Sequence, residues 1–156
     1  MSRIERLQKR RYAAVLIGAG VIALSSLMIA YKAEAQGQET YKARLALVPS
    51  DLKTRPDITG GGTATAVLAG TKLTVTGTFE GLKTAATMAE LRAGIATAVR
   101  GPVVQTLTVP KATSGSISGS FDLTPAQVED LKKNHFYVEL YSEKTPEGNL
   151  WGWLLR

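Results

Sequence analysis

The chain has 156 residues, which is long enough for one globular domain and a targeting segment. Its residues are 44% hydrophobic and 21% charged, as in ordinary globular proteins. It contains no cysteine, and this excludes disulfides, thiolate nucleophiles and cysteine metal sites. The formal net charge is +6, but residues 1–35 hold six basic and two acidic residues, so the remaining 13 basic and 11 acidic residues leave only +2. A domain so close to neutral lacks the basic surface that binds nucleic acid.

The first 35 residues are typical of an export signal or a membrane anchor. The basic start MSRIERLQKRR precedes 19 uncharged residues, 13–31, and the small residues Ala33 and Ala35 follow. The small residues favour a signal peptide cleaved after Ala35, whereas the length of residues 13–31 favours a retained helix in contact with the membrane. Under both alternatives the positive-inside rule predicts that the chain from residue 36 onward is translocated across the membrane. We therefore expect an exported chain, either soluble on the periplasmic or extracellular side or anchored to the cytoplasmic membrane by one helix.

From Tyr41 the chain consists of short alternating runs separated by Gly, Pro and Thr, which is typical of an all-β domain. The clearest run is Lys72–Phe79, where apolar residues alternate with threonines. The glycines at 60–62 are not followed by a phosphate-binding motif, and we interpret them as a flexible start to a strand. The strands predicted up to residue 123 are Tyr41–Leu47, Thr63–Leu68, Lys72–Phe79, Val103–Val109 and Ser116–Leu123.

The alternation of apolar and polar residues then stops, and the pattern of one short helix follows. Thr124, Pro125 and Gln127 form the pattern of a helix N-terminus with a capping box, and the helix is predicted to run to about Lys133. A strand over Phe136–Ser142, a turn over Thr145–Gly148 and a last strand from Asn149 follow. The predicted fold is an all-β, antiparallel, β-sandwich or Greek-key-like single domain with one short helix, preceded by an N-terminal hydrophobic helix. Its parts are a leader over 1–35, a linker over 36–40 and the β domain over 41–156.

Pairing the last two strands predicts an aromatic face. Phe136, Val138 and Leu140 match Leu150, Gly152 and Leu154 as the core face of the hairpin. The opposite face then carries a candidate interaction surface, because tyrosine and tryptophan concentrate energy at interfaces. The alternative is that the chain's own helix or loops cover this face as a second layer of core. The residues concerned are Tyr137, Tyr141, Trp151 and Trp153.

The order of the segments YKARLALVP, GLKTAATMAELRAG, RGPVVQTL and LTPAQVEDLKKNHFYVELYSEKTPEGNLWGWL resembles the CHRD domain, a module named from chordin and found in exported bacterial proteins. The resemblance covers residues 41–155 and implies the same β scaffold. Where that family shows Ala-His-Ile-His-x-Gly, this chain has the segment 89–94, with Glu90 and Arg92 in place of the histidines, and Tyr141 replaces a later histidine. The resemblance therefore implies a preserved scaffold with an altered polar cluster at Glu90, Arg92 and Tyr141.

These replacements argue against metal, cofactor or catalytic chemistry. The one remaining histidine, His135, precedes a strand and is predicted to lie at a helix end or in a turn. Glu90 beside Arg92 predicts an ion pair or a solvated pair of opposite charges more readily than a metal ligand. No pair of carboxylates stands out for acid–base catalysis, and the serines at 114, 116, 118 and 120 have no histidine at a compatible spacing.

The sequence thus favours a non-catalytic, exported CHRD-type binding or interaction domain without a cofactor, whose partner is a protein or a cell-envelope ligand. The alternative is a membrane-anchored accessory subunit of a larger membrane complex. In that case Gly18, Gly20 and the serines at 25 and 26 would let the retained helix pack closely on another.

Overall fold

The structure is a computed structural model that describes residues 37–156. This part of the chain forms eight β-strands, one α-helix and one turn of 3₁₀ helix. In chain order these are β1 (Glu39–Leu47), the 3₁₀ turn (Arg55–Asp57), β2 (Gly61–Ala69), β3 (Lys72–Glu80), β4 (Ala86–Ala93), β5 (Val103–Leu107), β6 (Gly115–Asp122), α1 (Pro125–Lys132), β7 (Phe136–Ser142) and β8 (Thr145–Trp153). β1 begins at Glu39, so the last two residues of the predicted linker belong to the strand.

The strands form one antiparallel sheet in the order β5-β4-β7-β8-β1-β2-β3-β6. Thr108, the residue after β5, forms a bridge with Ser118 of β6, and their backbone groups exchange hydrogen bonds of 2.8 and 3.0 Å, which brings the two outermost strands together. The sheet therefore curls until its two halves enclose one core, in a sandwich-like arrangement. The predicted class, all-β and antiparallel with one short helix, is confirmed for these residues.

The core follows the period-two alternation of the strands. On β3, Leu73 and Val75 are buried whereas Thr74 and Thr76 are exposed. Both halves of the sheet contribute to a single apolar cluster, and this contact between halves stabilises the curled sheet. Its largest fully buried apolar side chains include Tyr41, Leu45, Leu73, Leu91, Ile117, Leu131, Phe136, Leu140, Leu150 and Leu154.

The helix α1 begins with the predicted capping box. Thr124 Oγ1 accepts a hydrogen bond of 3.3 Å from the Gln127 amide, and Gln127 Oε1 accepts one of 2.9 Å from the Thr124 amide. Two amides that the helix itself leaves unpaired are satisfied in this way. The helix ends at Lys132, close to the predicted end, and buries Leu131 against the sheet.

The last strand differs from its prediction. β8 begins at Thr145, which pairs with Ser142, so the hairpin turn is residues 143–144 and not Thr145–Gly148. A register shift follows, because β8 has three more residues than β7 between this pair and the next one. Gly148 lies in this bulge with φ of 121°, a conformation that a residue with a Cβ rarely adopts.

Beyond the bulge, the predicted pairing of the final hairpin is confirmed. Val138 lies opposite Gly152, and Leu140 lies opposite Leu150. All four residues are buried, so the hairpin presents to the core the face that its alternation predicts. The other face of the hairpin points away from the core.

β4 is a strand that the alternation of apolar residues did not predict. Its sequence, ATMAELRA, is rich in residues that favour helices. It nevertheless lies inside the sheet between β5 and β7, and hydrogen bonds on both sides hold it extended. Ala89 and Leu91 are fully buried on its core side, so Glu90 and Arg92 point to the outer side of the sheet.

None of the helices within residues 37–156 is long and apolar enough to cross a bilayer. The predicted leader, with its hydrophobic helix over residues 13–31, falls outside the described residues.

Candidate functional site

The outer face of β4, β7 and β8 carries the candidate residues in rows across the sheet. Glu90 lies opposite Glu139, and Glu139 lies opposite Trp151. Two carboxylates in directly opposite positions destabilise a sheet unless cations lie close to them. The next row along the strands reads Arg92, Tyr137 and Trp153.

The cations come from β4 itself and from the loop after it. Glu90, Arg92, Arg100, Glu139 and Tyr141 form what we call the charged cluster. Arg92 Nη1 donates hydrogen bonds of 2.7 Å to Glu90 Oε2 and 3.0 Å to the Tyr141 hydroxyl. The Tyr141 hydroxyl lies 2.9 Å from Glu90 Oε2 and 3.1 Å from Glu139 Oε2. The predicted ion pair between Glu90 and Arg92 is confirmed.

Arg100 reaches the cluster from the loop between β4 and β5, residues 94–102. Its Nη2 lies 2.6 Å from Glu139 Oε1 and donates a hydrogen bond of 3.0 Å to the Glu147 carbonyl. Its guanidinium carbon lies 5.6 Å from the centre of the Trp151 ring, within the range of a cation–π contact. Arg100 thus joins the loop to β7 and β8 at once.

Backbone groups hold this loop over the face. Arg92 Nε donates a hydrogen bond of 2.9 Å to the Gly101 carbonyl, and the Gly101 amide donates one of 3.1 Å to the Tyr137 hydroxyl. At the base of the loop, the Gly94 amide donates a hydrogen bond of 2.9 Å to the His135 carbonyl. The loop is therefore fixed at both ends, and the side chain of Arg100 extends from between them.

The predicted aromatic face is largely buried, and the loop contacts it at Tyr137 and Trp151. Tyr137, Trp151 and Trp153 form an aromatic cluster, in which Tyr137 stacks on Trp153 at 4.5 Å between ring centres, and Trp151 meets Trp153 edge-on at 4.6 Å. Tyr137 is fully buried, Tyr141 is 7% exposed and Trp153 9%. Only Trp151 keeps intermediate exposure, so for three of the four residues the alternative of a second buried layer describes the structure.

A cavity of about 220 Å³ opens beside the charged cluster. Gly148 lines it, and a Cβ at this position would lie 2.7 Å from Glu139 Oε1 and 3.0 Å from Arg100 Nη2. The glycine is therefore required for the close approach of these two side chains. The other lining residues are Val48, Pro49, Ser50, Asp51, Thr54, Ile58, Arg100, Lys144, Thr145, Pro146 and Glu147.

Comparison with protein families identifies the scaffold. The family model for the CHRD domain matches residues 43–154, which is most of the chain and includes every member of the charged cluster. The chain belongs to the CHRD domain family. Neither the curated proteins nor the solved structures gave a match.

The structure brings together the three positions that the resemblance singled out in this CHRD domain. Glu90 and Arg92 come from β4 and Tyr141 from β7, and their polar atoms lie within 3.0 Å of one another. Two further members were not predicted as site residues, namely Glu139 and Arg100. The pairing of Glu139 with Glu90 depends on β4 being a strand. Arg100 begins the segment RGPVVQTL, but no pattern in that segment assigns Arg100 to a site.

Burial dominates the protonation chemistry of the cluster. Burial raises the pKa of Glu139, although Arg100, Tyr141 and Arg92 act against it. Burial also raises the pKa of Tyr141, and its hydrogen bond to Glu90 adds to this increase. Tyr141 is thus held as a neutral phenol, and Glu139 holds a proton more readily than an ordinary glutamate.

The described part of the CHRD domain holds no group of three or more His, Cys, Asp and Glu side chains that could bind a metal ion. His135 directly follows the turn at residues 133–134 after α1, close to its predicted place at a helix end or turn, with Nδ1 3.8 Å from Asp130 Oδ1. A larger hollow of about 570 Å³ lies along β1, β2 and β3, but its charged members, Arg44 and Glu80, are exposed. The charged cluster with its adjoining cavity is therefore the candidate site.

Proposed function

We propose that this CHRD domain is a non-catalytic binding module that acts beyond the cytoplasmic membrane. The observation that carries the proposal is the edge where Trp151 and Arg100 meet beside the cavity of about 220 Å³. Tryptophan is among the residues most enriched at the energetic centres of interfaces. The same loop also presents Ile95, which is 83% exposed, and Val99, which is 42% exposed. An exposed apolar loop beside an aromatic and cationic edge suits a protein partner or a cell-envelope ligand.

The packing of the charged cluster supports a role other than catalysis. A tyrosine hydroxyl between two carboxylates resembles an acid–base site, and raised pKa values often mark one. Here, however, the side chains of Glu90 and Glu139 are only 10% and 2% exposed, and Arg92 lies between them. Arg92 and Arg100 already occupy the positions next to the two carboxylates, so we assign the cluster to holding the loop in place.

The proposed location rests on the leader. A basic start followed by 19 uncharged residues directs the following domain across a membrane. The same length supports the second candidate function, a membrane-anchored accessory subunit, because a retained helix of this length spans the hydrocarbon core. The two functions differ in whether the leader remains attached.

Mass spectrometry of the intact chain tests the location. The chain is recovered from the soluble and membrane fractions of its native host, and its mass is measured. A soluble chain that begins at Gln36 supports the free binding domain. A full-length chain confined to membranes supports the anchored subunit and overturns the free domain.

Cross-linking tests the binding face in the same host. The full chain, Trp151→Ala and Leu155→Ala are compared, the last being a matched loss of a 49% exposed apolar side chain outside the face. We expect a cross-linked partner that survives Leu155→Ala and is lost with Trp151→Ala. A partner retained equally by both variants would overturn the assignment of this face.

A further inference from the structure

Arg100 occupies a place on the face that resembles a binding site for a cation. Its guanidinium lies against the Trp151 ring, beside the Glu139 carboxylate and under the Glu147 carbonyl. An aromatic ring, a carboxylate and a carbonyl oxygen are the groups that a protein offers to a guanidinium ligand. These three groups belong to β7 and β8, whereas Arg100 belongs to the loop and is not part of the strands that form the site.

Arg100 satisfies this site incompletely. Glu139 Oε1 lies 2.6 Å from Arg100 Nη2, but within the described residues no donor points at this oxygen well enough for a hydrogen bond. The Glu139 side chain is only 2% exposed, so water does not replace the missing donor freely. Arg100 compensates the charge of Glu139 at 2.6 Å, and a better aligned donor would add a hydrogen bond to this ion pair.

The surroundings give Arg100 room to leave. Its side chain is 44% exposed, and the loop residues 95–100 are all exposed. The adjoining cavity has apolar walls at Val48, Ile58 and Pro146, which suit the methylene groups that precede a guanidinium. Gly148 keeps the passage between the cavity and Glu139 open, since any side chain at this position would fill it.

We propose that Glu139, Trp151 and the Glu147 carbonyl form a guanidinium site that Arg100 fills from within the chain, and that an arginine side chain of the partner displaces Arg100 on binding. The proposal rests on the proposed binding function and names its ligand chemistry. Arg100 acts as an internal competitor, because a tethered group has an effective concentration on the order of millimolar or higher. Free guanidinium compounds therefore bind weakly to the native chain and more tightly once Arg100 is removed.

The test uses the full chain in mild detergent and ethylguanidinium as the probe. The only two tryptophans of the chain are Trp151 and Trp153, so tryptophan fluorescence reports on the site directly. Arg100→Ala is titrated beside the native chain and beside Arg44→Ala, which removes an exposed arginine from β1. Urea, planar and neutral, is the comparison ligand. Arg100→Gln replaces Arg100→Ala if the alanine variant loses the circular dichroism spectrum of the native chain.

We expect a saturable fluorescence change in Arg100→Ala with an affinity at least about tenfold higher than in the native chain, a difference of about 1.4 kcal/mol. Arg44→Ala should behave like the native chain, and urea should give no saturable change. Adding Glu139→Gln to Arg100→Ala should abolish the response, because the carboxylate is lost. A folded Arg100→Ala that does not respond, or a response that survives Glu139→Gln, would overturn the proposal.

The cross-linking experiment separates this inference from the proposed function. A partner lost with Trp151→Ala, together with no response to ethylguanidinium, would leave the binding function standing and reject the guanidinium site. A clear response without any partner dependent on Trp151 would leave the site standing and reject the binding function.

Discussion

Replacing Arg100 by alanine should destabilise the domain through Glu139. The replacement leaves a carboxylate whose side chain is 2% exposed with Arg92 as its remaining cation, 3.7 Å from Glu139 Oε2. Breaking a buried ion pair from one side costs about 3–5 kcal/mol. Arg100 is itself 44% exposed, and water can enter the space it leaves, so we expect a loss of about 2 kcal/mol in the free energy of unfolding.

Glu139→Gln should recover most of this loss. Glutamine keeps the size of the side chain and removes the buried charge, so the single variant Glu139→Gln should change stability by less than about 1 kcal/mol. In the double variant the cost of losing Arg100 should fall below about 1 kcal/mol, which gives a coupling energy of at least about 1 kcal/mol. Urea unfolding of all four proteins, followed by circular dichroism, measures this cycle.

The stability lost in Arg100→Ala should also depend on pH, and the raised pKa of Glu139 sets the direction of that dependence. The pKa of Glu139 is raised in the folded chain, so the folded state binds its proton more tightly than the unfolded state. The stability that this proton contributes is complete below the ordinary glutamate pKa and is lost as the pH rises through the folded value. Removing Arg100 raises that pKa further, so the cost of Arg100→Ala should be largest near neutral pH and smaller at about pH 5. A cost that is the same at both pH values, or unchanged by Glu139→Gln, would refute the coupling.

Three further substitutions, two of them paired with a comparison variant, test the scaffold by urea unfolding. Gly148→Ala should lower the free energy of unfolding by about 1–3 kcal/mol, because Gly148 has a φ of 121°. Gly61→Ala is the comparison variant and should cost less than about 1 kcal/mol, because its Cβ would lie 3.6 Å from the nearest atom. Equal costs for the two variants would contradict the role of the bulge. Thr124→Ala should cost about 1 kcal/mol through loss of the capping box, and Thr124→Ser should restore most of it. Leu91→Ala should cost about 2–5 kcal/mol, because Leu91 is fully buried; a cost below about 1 kcal/mol would contradict the place of β4 in the core.

Much of the fold could be predicted from the sequence because its signals are local. The alternation on β3 and the capping box of α1 depend only on neighbouring residues, and both are present as predicted. β4 could not be predicted in this way, because its sequence favours a helix and only pairing with β5 and β7 makes it a strand. The start of β8 was predicted wrongly for a related reason, since Pro146 and Gly148 resemble a turn but form a bulge within the paired strand.

The candidate site was likewise predictable from the sequence only in part. The sequence by itself determined that Tyr137, Tyr141, Trp151 and Trp153 share one face, because alternation along two paired strands fixes the side of each residue. The sequence also placed the opposite charges of Glu90 and Arg92 close together in the chain, but their position on one side of the sheet depends on β4 being a strand.

Only the tertiary structure decided that this face is largely buried. The burial of Tyr137 and the approach of Arg100 to Glu139 depend on the path of loop 94–102 over the sheet. The opposition of Glu90 and Glu139 depends on which strand lies beside β7. These contacts join residues far apart in the chain. A local sequence pattern does not predict them, because they form only when distant strands pair.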